Sequence, residues 1–219
     1  VLVFFVWLWK KHDVKLGAFS FFMGCIAWLL AQLVKGVPIL LASSLELAIF
    51  VAVTALVVGF CEEGVKALFC LSKPFKELTD SDEKAILYGM LIGLGAGFME
   101  AVLINLGIYA NLVLGVVSVE EYLSYWALEL ILIPIERNMA ALIHGILGAL
   151  LMVGVFRKRL LVAFLEAAFY HAAVDFFAVF SLHVAHVNIA IIEVVVGLFC
   201  AVPYYLLVKK RRIFTWELE

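Results

Sequence analysis

The stretch that decides the fold is GFCEEGVK, residues 59–66, which lies inside an apolar run over residues 45–71. This run is long enough to cross a bilayer, so Glu62, Glu63 and Lys66 are placed where the surroundings are hydrocarbon. Each such group costs about 2.5–3.5 kcal/mol at the centre of a membrane helix on insertion scales. A chain that keeps these groups together in one helix must pair them with other polar groups or use them in its function.

The composition is that of a membrane protein. Of the 219 residues, 66% are hydrophobic and only 16% are charged, and the mean hydropathy is +1.14. These values exclude an ordinary soluble domain and predict an all-α fold, a polytopic bundle of transmembrane helices forming one domain over residues 1–219. We expect the lipid bilayer and a membrane protein or peptide substrate as partners, and no nucleic acid.

Apolar runs of about 20 residues predict about seven spans. They cover residues 1–9, interpreted as a truncated helix, and then 16–34, 45–71, 85–108, 136–156, 160–182 and 187–208. Residues 116–133 mix acidic, aromatic and aliphatic side chains and predict an interfacial or re-entrant helix that stops at Pro134, because proline breaks a continuing helix.

The basic residues predict the orientation of the bundle. When successive loops alternate sides, one side receives all of the 16 Lys and Arg residues except Lys35, Lys66 and Arg137. Lys35 is assigned to a loop on the other side. The positive-inside rule places the basic side, and with it the C-terminus, in the cytoplasm. We expect a multi-pass protein of a prokaryotic plasma membrane.

Polar residues from four predicted helices share one depth. Counting the helical rise from the basic end of each span places them about 15–24 Å from that face, in the central slab of the bilayer. They are Glu62, Glu63, Glu100, His144, His171 and Asp175. The spacing of four puts His171 and Asp175 on one helix face, and the spacing of three lets Glu63 pair with Lys66.

Glycines in the fourth predicted span indicate close helix packing. Gly89, Gly93 and Gly97 recur every fourth residue and form a ridge on which a neighbouring helix can approach closely. Glu100 continues this face and is predicted to point into the seam. Glu136 and Arg137, at the outer end of a span, are interpreted as a structural ion pair or an interfacial anchor.

Carboxylates and imidazoles in a low-dielectric cavity suit hydrolysis. One glutamate can take a proton from water, while one histidine positions that water and another stabilises the oxyanion. Zinc is an alternative, with ligands drawn from Glu63, Glu100, His144 and His171. The usual H-E-x-x-H signature is absent, so we expect no cofactor. A purely structural pairing of these groups across helices is the remaining alternative.

Several motifs resemble those of a known protease family. EEGVK at 62–66 resembles the E-E-x-x-K motif of PrsW-type membrane proteases, and HAAVD at 171–175 resembles their H-x-x-x-D. Glu100 falls where that family has F-x-x-x-E, although Ala96 replaces the Phe. Residues 136–144 and the glycine-rich fourth span are similar to the related YhfC group. Both groups belong to the superfamily of CAAX prenyl endopeptidases and bacteriocin-immunity proteins, which also contains the APH-1 scaffold, and the resemblance covers residues 51–177.

The resemblance implies an intramembrane endopeptidase that acts on membrane-embedded or membrane-proximal peptides, glutamic in type rather than a zinc metalloprotease. Glu62 and Glu63 would activate water, and Lys66 would support them. The site would be completed by Glu100, His144, His171 and Asp175. Two other function classes fit the same residues: a proton-coupled transporter that uses the acids as a relay, and a non-catalytic membrane scaffold.

Overall fold

The computed structural model describes residues 14–115, 129–210, 212–214 and 216–218. The helices are α1 (Val14–Ala42), α2 (Leu47–Cys70), α3 (Lys73–Leu78), α4 (Asp82–Val113), α5 (Glu129–Phe156), α6 (Leu160–His183) and α7 (Ile189–Lys210). A short antiparallel hairpin follows, in which β1 (Arg212–Ile213) pairs with β2 (Trp216–Glu217).

The prediction of an all-α membrane bundle is confirmed. In the described part of the chain, six helices are long and apolar enough to span a bilayer, namely α1, α2 and α4 to α7. The protein is a multi-pass membrane protein. The predicted span at residues 1–9 lies outside the described residues, as do residues 116–128 of the predicted interfacial helix.

The predicted end of the second span was wrong. We expected the span to cover residues 16–34 and Lys35 to lie in a loop, but α1 continues through Lys35 and Pro38 to Ala42. The sequence beyond Lys35 stays apolar, and the Lys35 ammonium donates a hydrogen bond to the Glu62 carboxylate of α2. This partner lets a charged residue remain inside the helix.

The predicted helix stop at Pro134 was also wrong. Residues 129–133 are helical, and α5 runs through Pro134 without interruption. Pro134 lies early in α5, so its missing N–H removes a hydrogen bond from the start of the helix and not from its centre. The apolar span of this helix is Pro134–Phe156, close to the predicted 136–156.

Helices α4 and α5 pack with their backbones in contact along the predicted glycine ridge. A Cβ placed on Gly93 would lie 1.9 Å from the His144 carbonyl oxygen, and one on Gly97 would lie 2.5 Å from the Ala141 Cα. A Cβ on Gly89 would lie 2.4 Å from the Gly148 carbonyl oxygen. These contacts leave no room for larger side chains and hold His144 beside the α4 face that carries Glu100.

A second close approach joins α2 to α6. A Cβ on Gly59 would lie 2.5 Å from the Ala168 carbonyl oxygen and 3.0 Å from the Ala172 Cβ. His171 follows on the same part of α6, so this contact brings its ring against the side chain of Glu63 one helical turn along α2.

The terminal hairpin covers the basic end of the bundle. Trp216 is buried, and its indole N–H donates to the Glu166 carboxylate at 3.0 Å. Arg157 donates to the Glu217 carbonyl oxygen at 2.7 Å and also pairs with Asp82. Polar contacts therefore join the hairpin to the basic ends of the helices.

Candidate active site

Glu63 is fully buried and fixed by two donors. Its Oε1 accepts from the Lys66 ammonium at 2.5 Å and from Nδ1 of His171 at 2.7 Å. Its exposed fraction is 0%, and that of Lys66 is 1%. The predicted pairing of Glu63 with Lys66 is present, and it ties the centre of α2 to α6 through His171.

His144 continues this chain of polar contacts on α5. Lys66 Nζ lies 3.1 Å from His144 Nδ1, and His144 Nε2 lies 2.8 Å from Glu100 Oε2. An ammonium group can only donate, so Nδ1 accepts and the ring proton sits on Nε2, from which it is donated to Glu100. Both ring nitrogens of His144 are therefore engaged.

Glu100 and Arg137 extend the network toward the non-basic end of the bundle. Arg137 donates to Glu100 Oε1 at 2.8 Å and forms a two-point ion pair with its neighbour Glu136. Glu136 and Arg137 do form the predicted ion pair. Arg137 also binds Glu100, which makes it part of the polar cluster around the site.

Glu62 has a different environment from Glu63, although the two are adjacent in sequence. Its Oε1 accepts from the Lys35 ammonium, and Gln32 lies at 3.5 Å. Its Oε2 is buried and has no hydrogen-bond partner among the described residues. Successive helical residues point about 100° apart, so Glu62 faces α1 and a cavity, while Glu63 faces α6.

This cavity has a volume of about 520 Å³ and is lined by polar and apolar side chains. The ionisable or amide side chains that line it are Gln32, Lys35, Glu62, Glu100, Glu136, Arg137, His144, His171 and Asp175. Apolar side chains from α2, α5, α6 and α7, such as Val58 and Val196, complete the wall. Glu63 and Lys66 lie behind this wall, so only one of the paired glutamates faces the hollow.

The cavity extends from the level of Glu62 toward the end of the bundle opposite the basic residues. Arg137 lies near the start of the α5 span, Ile104 lies in the later part of α4, and Val179 lies near the end of α6. All of these positions belong to the same, non-basic end, so a molecule from that side has the shorter path to Glu62.

His171 links the buried pair to the cavity. Its Nδ1 proton is donated to Glu63, which leaves Nε2 on the side of Asp175, with Asp175 Oδ2 at 3.5 Å. The His171 ring packs edge-on against the His144 ring, with the centroids 4.8 Å apart. Nε2 of His171 is therefore the imidazole nitrogen that can accept a proton or a hydrogen bond from a molecule in the cavity.

The zinc alternative was tested against this arrangement. One ligand atom each from Glu62, His144 and His171 lies within 4.8 Å of the others, a carboxylate and two imidazoles. The predicted ligands Glu63 and Glu100 are not in this group. Both ring nitrogens of His144 are engaged, by Lys66 and by Glu100, whereas Glu62 keeps one oxygen without a hydrogen-bond partner among the described residues, so an ion would have to displace a partner of His144. Zinc binding at these three residues would therefore need a rearrangement at His144.

The structure thus brings together all the predicted site residues, and it adds Lys35, Gln32 and Arg137. Lys35 was assigned to a loop because the second span was predicted to end at residue 34. A usable signal was present: Lys35 is followed by six residues without charge up to Leu41.

Comparisons of the chain with protein-family models, curated proteins and solved structures gave no match.

Proposed function

We propose that this protein is an intramembrane endopeptidase in which Glu62 activates a water molecule. The observation that carries the proposal is the position of Glu62 at the inner end of a cavity that several ionisable side chains line, with one carboxylate oxygen free of partners among the described residues. The cavity also holds His171, with its Nε2 available, and the cation Lys35. A carboxylate, an imidazole and an ammonium group at one site match the needs of peptide hydrolysis.

The proposed reaction begins with water bound between Glu62 and His171 Nε2. Glu62 takes one proton as the water oxygen attacks the carbonyl carbon of the scissile peptide bond. Lys35 stabilises the negative charge that develops on the carbonyl oxygen. Glu62 then returns the proton to the leaving amine, and the C–N bond breaks to give a carboxylic acid and an amine.

Glu63 is assigned a positioning role in this scheme. It neutralises Lys66 and orients the His171 ring by accepting its Nδ1 proton, which keeps the Nε2 lone pair toward the cavity. His144 and Glu100 hold the other side of Lys66 and connect it to α4. Asp175 lies next to Nε2 and would stabilise the imidazolium if His171 gains a proton during turnover.

The proposal includes membership of the PrsW/YhfC-type family and a location in the plasma membrane with the C-terminus in the cytoplasm. The pairing of Glu63 with Lys66 supports the first part, because it gives a reason for the spacing in E-E-x-x-K. The cluster of basic residues at one end of the bundle supports the second. The cavity then opens toward the outer side, so the substrate is a membrane peptide cleaved from that side.

The test is cleavage of a membrane-spanning peptide by the purified protein in liposomes. Glu62→Gln is expected to lower the cleavage rate about 1000-fold, since positioned general bases contribute about 10²–10⁴. His171→Ala is expected to lower it to a similar extent. Glu77→Gln, which changes an exposed acid on α3, serves as the matched control and keeps the wild-type rate.

Unchanged cleavage in Glu62→Gln and His171→Ala would contradict the proposal. Without proteolysis, a stable partner protein whose assembly is lost in the same variants would support the scaffold alternative.

One observation favours a second candidate, a proton-coupled transporter. Ionisable groups form an unbroken series of contacts from His171 through Glu63, Lys66, His144 and Glu100 to Arg137. Such a series within a membrane can relay protons. This candidate predicts pH-dependent flux in proteoliposomes that is lost in Glu100→Gln, together with no peptide cleavage by the wild-type protein.

A further inference from the structure

A second cavity of about 500 Å³ lies at the basic end of the bundle, away from the candidate active site. It is formed by the end of α2, by α3 and the residue after it, and by the turn between α5 and α6 with the adjoining helix ends. Its apolar lining is Leu71, Met152, Val155, Phe156 and Leu160. Its polar lining is Lys76, Thr79 and Lys158, so positive charge and hydrocarbon surface meet in one hollow.

The two lysines of this cavity differ from Lys73 and Lys84, which lie near Lys76 in the sequence. Lys73 pairs with Glu77, and Lys84 pairs with Asp80. In the described part of the chain, Lys76 and Lys158 have no carboxylate within ion-pair distance, and the cavity lining contains none. Their charges are therefore not compensated by the protein.

Thr79 adds an unused hydroxyl to the same wall. The residue is 8% exposed, and its Oγ1 is buried without a hydrogen-bond partner among the described residues. A buried hydroxyl without a partner costs about 1–3 kcal/mol, and a ligand oxygen would remove that cost. Both lysines and this hydroxyl are donors, so the complementary ligand group carries several acceptor oxygens.

The backbone of Lys158 is held in a strained conformation. Arg159 N–H donates to the Gly154 carbonyl at 2.7 Å and Lys158 N–H to the Val155 carbonyl at 3.2 Å, a Schellman ending of α5. Lys158 takes the left-handed position of this motif, with φ 57°, where glycine is favoured. A lysine at this position keeps an ammonium group at the cavity rim at a cost to the fold, as is typical of functional sites.

We propose that this cavity binds an anionic phospholipid. The phosphate accepts hydrogen bonds from Lys76, Lys158 and the Thr79 hydroxyl, which are charge-assisted in the case of the two ammonium groups. An acyl chain lies along Met152, Phe156 and Leu160. Phosphate and hydrocarbon occur together in a membrane lipid, and the basic end of a bundle lies at the depth of the lipid headgroups.

The experiment measures lipid binding to the protein by native mass spectrometry from nanodiscs of phosphatidylcholine with or without phosphatidylglycerol. Lys76→Ala/Lys158→Ala is expected to weaken phosphatidylglycerol binding about 30-fold, because the loss of each lysine is expected to lower the affinity about fivefold. The matched control is Lys73→Ala/Arg159→Ala, which removes the same charge from the same end but from outside the cavity, and it is expected to bind as the wild type does. An equal loss in both double variants, or equal wild-type affinity for phosphatidylcholine, would overturn the proposal.

Lys158→Gly separates binding from folding. Glycine relieves the left-handed strain, so the variant is expected to unfold at the same temperature as the wild type or higher, while phosphatidylglycerol binding weakens about fivefold. Retained binding in this variant would contradict the assignment.

Inorganic phosphate and short-chain phosphatidylglycerol are compared as competitors. Competition by phosphate as strong as by the lipid would assign the site to a soluble phosphate instead. These readouts do not depend on peptide cleavage.

Discussion

The two adjacent glutamates of α2 contact different side chains. Glu63 is enclosed by Lys66 and His171, has no exposed surface, and lies behind the wall of the main cavity. Glu62 touches Lys35 and lines the cavity, while the second carboxylate oxygen of each glutamate has no hydrogen-bond partner among the described residues. Two neighbouring residues of a membrane helix, which point about 100° apart, can therefore have one carboxylate enclosed in a buried ion pair and the other facing a cavity.

The largest expected effect on stability is at Glu63. Glu63→Leu leaves the Lys66 ammonium buried without its counter-charge, and removing one partner of a buried ion pair costs about 3–5 kcal/mol. Equilibrium unfolding in mixed detergent micelles measures the change.

The double variant Glu63→Leu/Lys66→Met is the control for Glu63→Leu. It removes both charges and is expected to be less destabilised than the single variant, because no unpaired ammonium remains. Wild-type stability in the single variant would mean that Glu63 does not have the structural role assigned to it.

A smaller effect is expected from the glycine seam. Gly93→Ala places a methyl group 1.9 Å from the His144 carbonyl oxygen, so α4 and α5 must separate. We expect a loss of about 2 kcal/mol, in the range of overpacked cores, together with reduced cleavage because His144 moves away from Glu100. Gly107→Ala on the same helix meets nothing within 4 Å and is the matched control. Equal stability of the two variants would show that the seam does not set the site geometry.

The smallest effect is expected at Lys35. Lys35→Met removes one hydrogen bond to Glu62, which lines the cavity, so water can replace the lost donor. The cost is expected to be about 1 kcal/mol, well below that of Glu63→Leu. Cleavage should fall much more than stability if Lys35 stabilises the oxyanion, and measurement of both quantities in the same sample checks this. A loss of stability equal to that of Glu63→Leu would remove the contrast between the two glutamates.

Much of this arrangement could be predicted from the sequence, because the hydropathy of a span and the depth of a residue in it depend only on position along the chain. Apolar runs located the spanning helices, and distance from the basic ends placed Glu62, Glu100 and His171 at one level. The glycine spacing predicted that α4 has a closely packed neighbour, which the structure identifies as α5. These features depend only on positions along single helices.

The rest required knowledge of how helices pack. Which of Glu62 and Glu63 faces the cavity depends on the rotation of α2 against α1 and α6, and a single helix pattern does not fix that rotation. The position of Lys35 inside a span was not predicted, because a charge there is stable only with a partner and that partner lies on another helix. Pro134 looked like a helix stop because the sequence alone does not show how early in α5 it falls.

The most direct test of the central claim is the water accessibility of the two glutamate positions. In a background in which Cys25, Cys61, Cys70 and Cys200 are replaced by alanine, Glu62→Cys and Glu63→Cys are each treated with a membrane-impermeant, thiol-reactive reagent. The account predicts that Glu62→Cys is labelled through the cavity and that Glu63→Cys is protected. Protection of both positions, or labelling of Glu63→Cys alone, would contradict it.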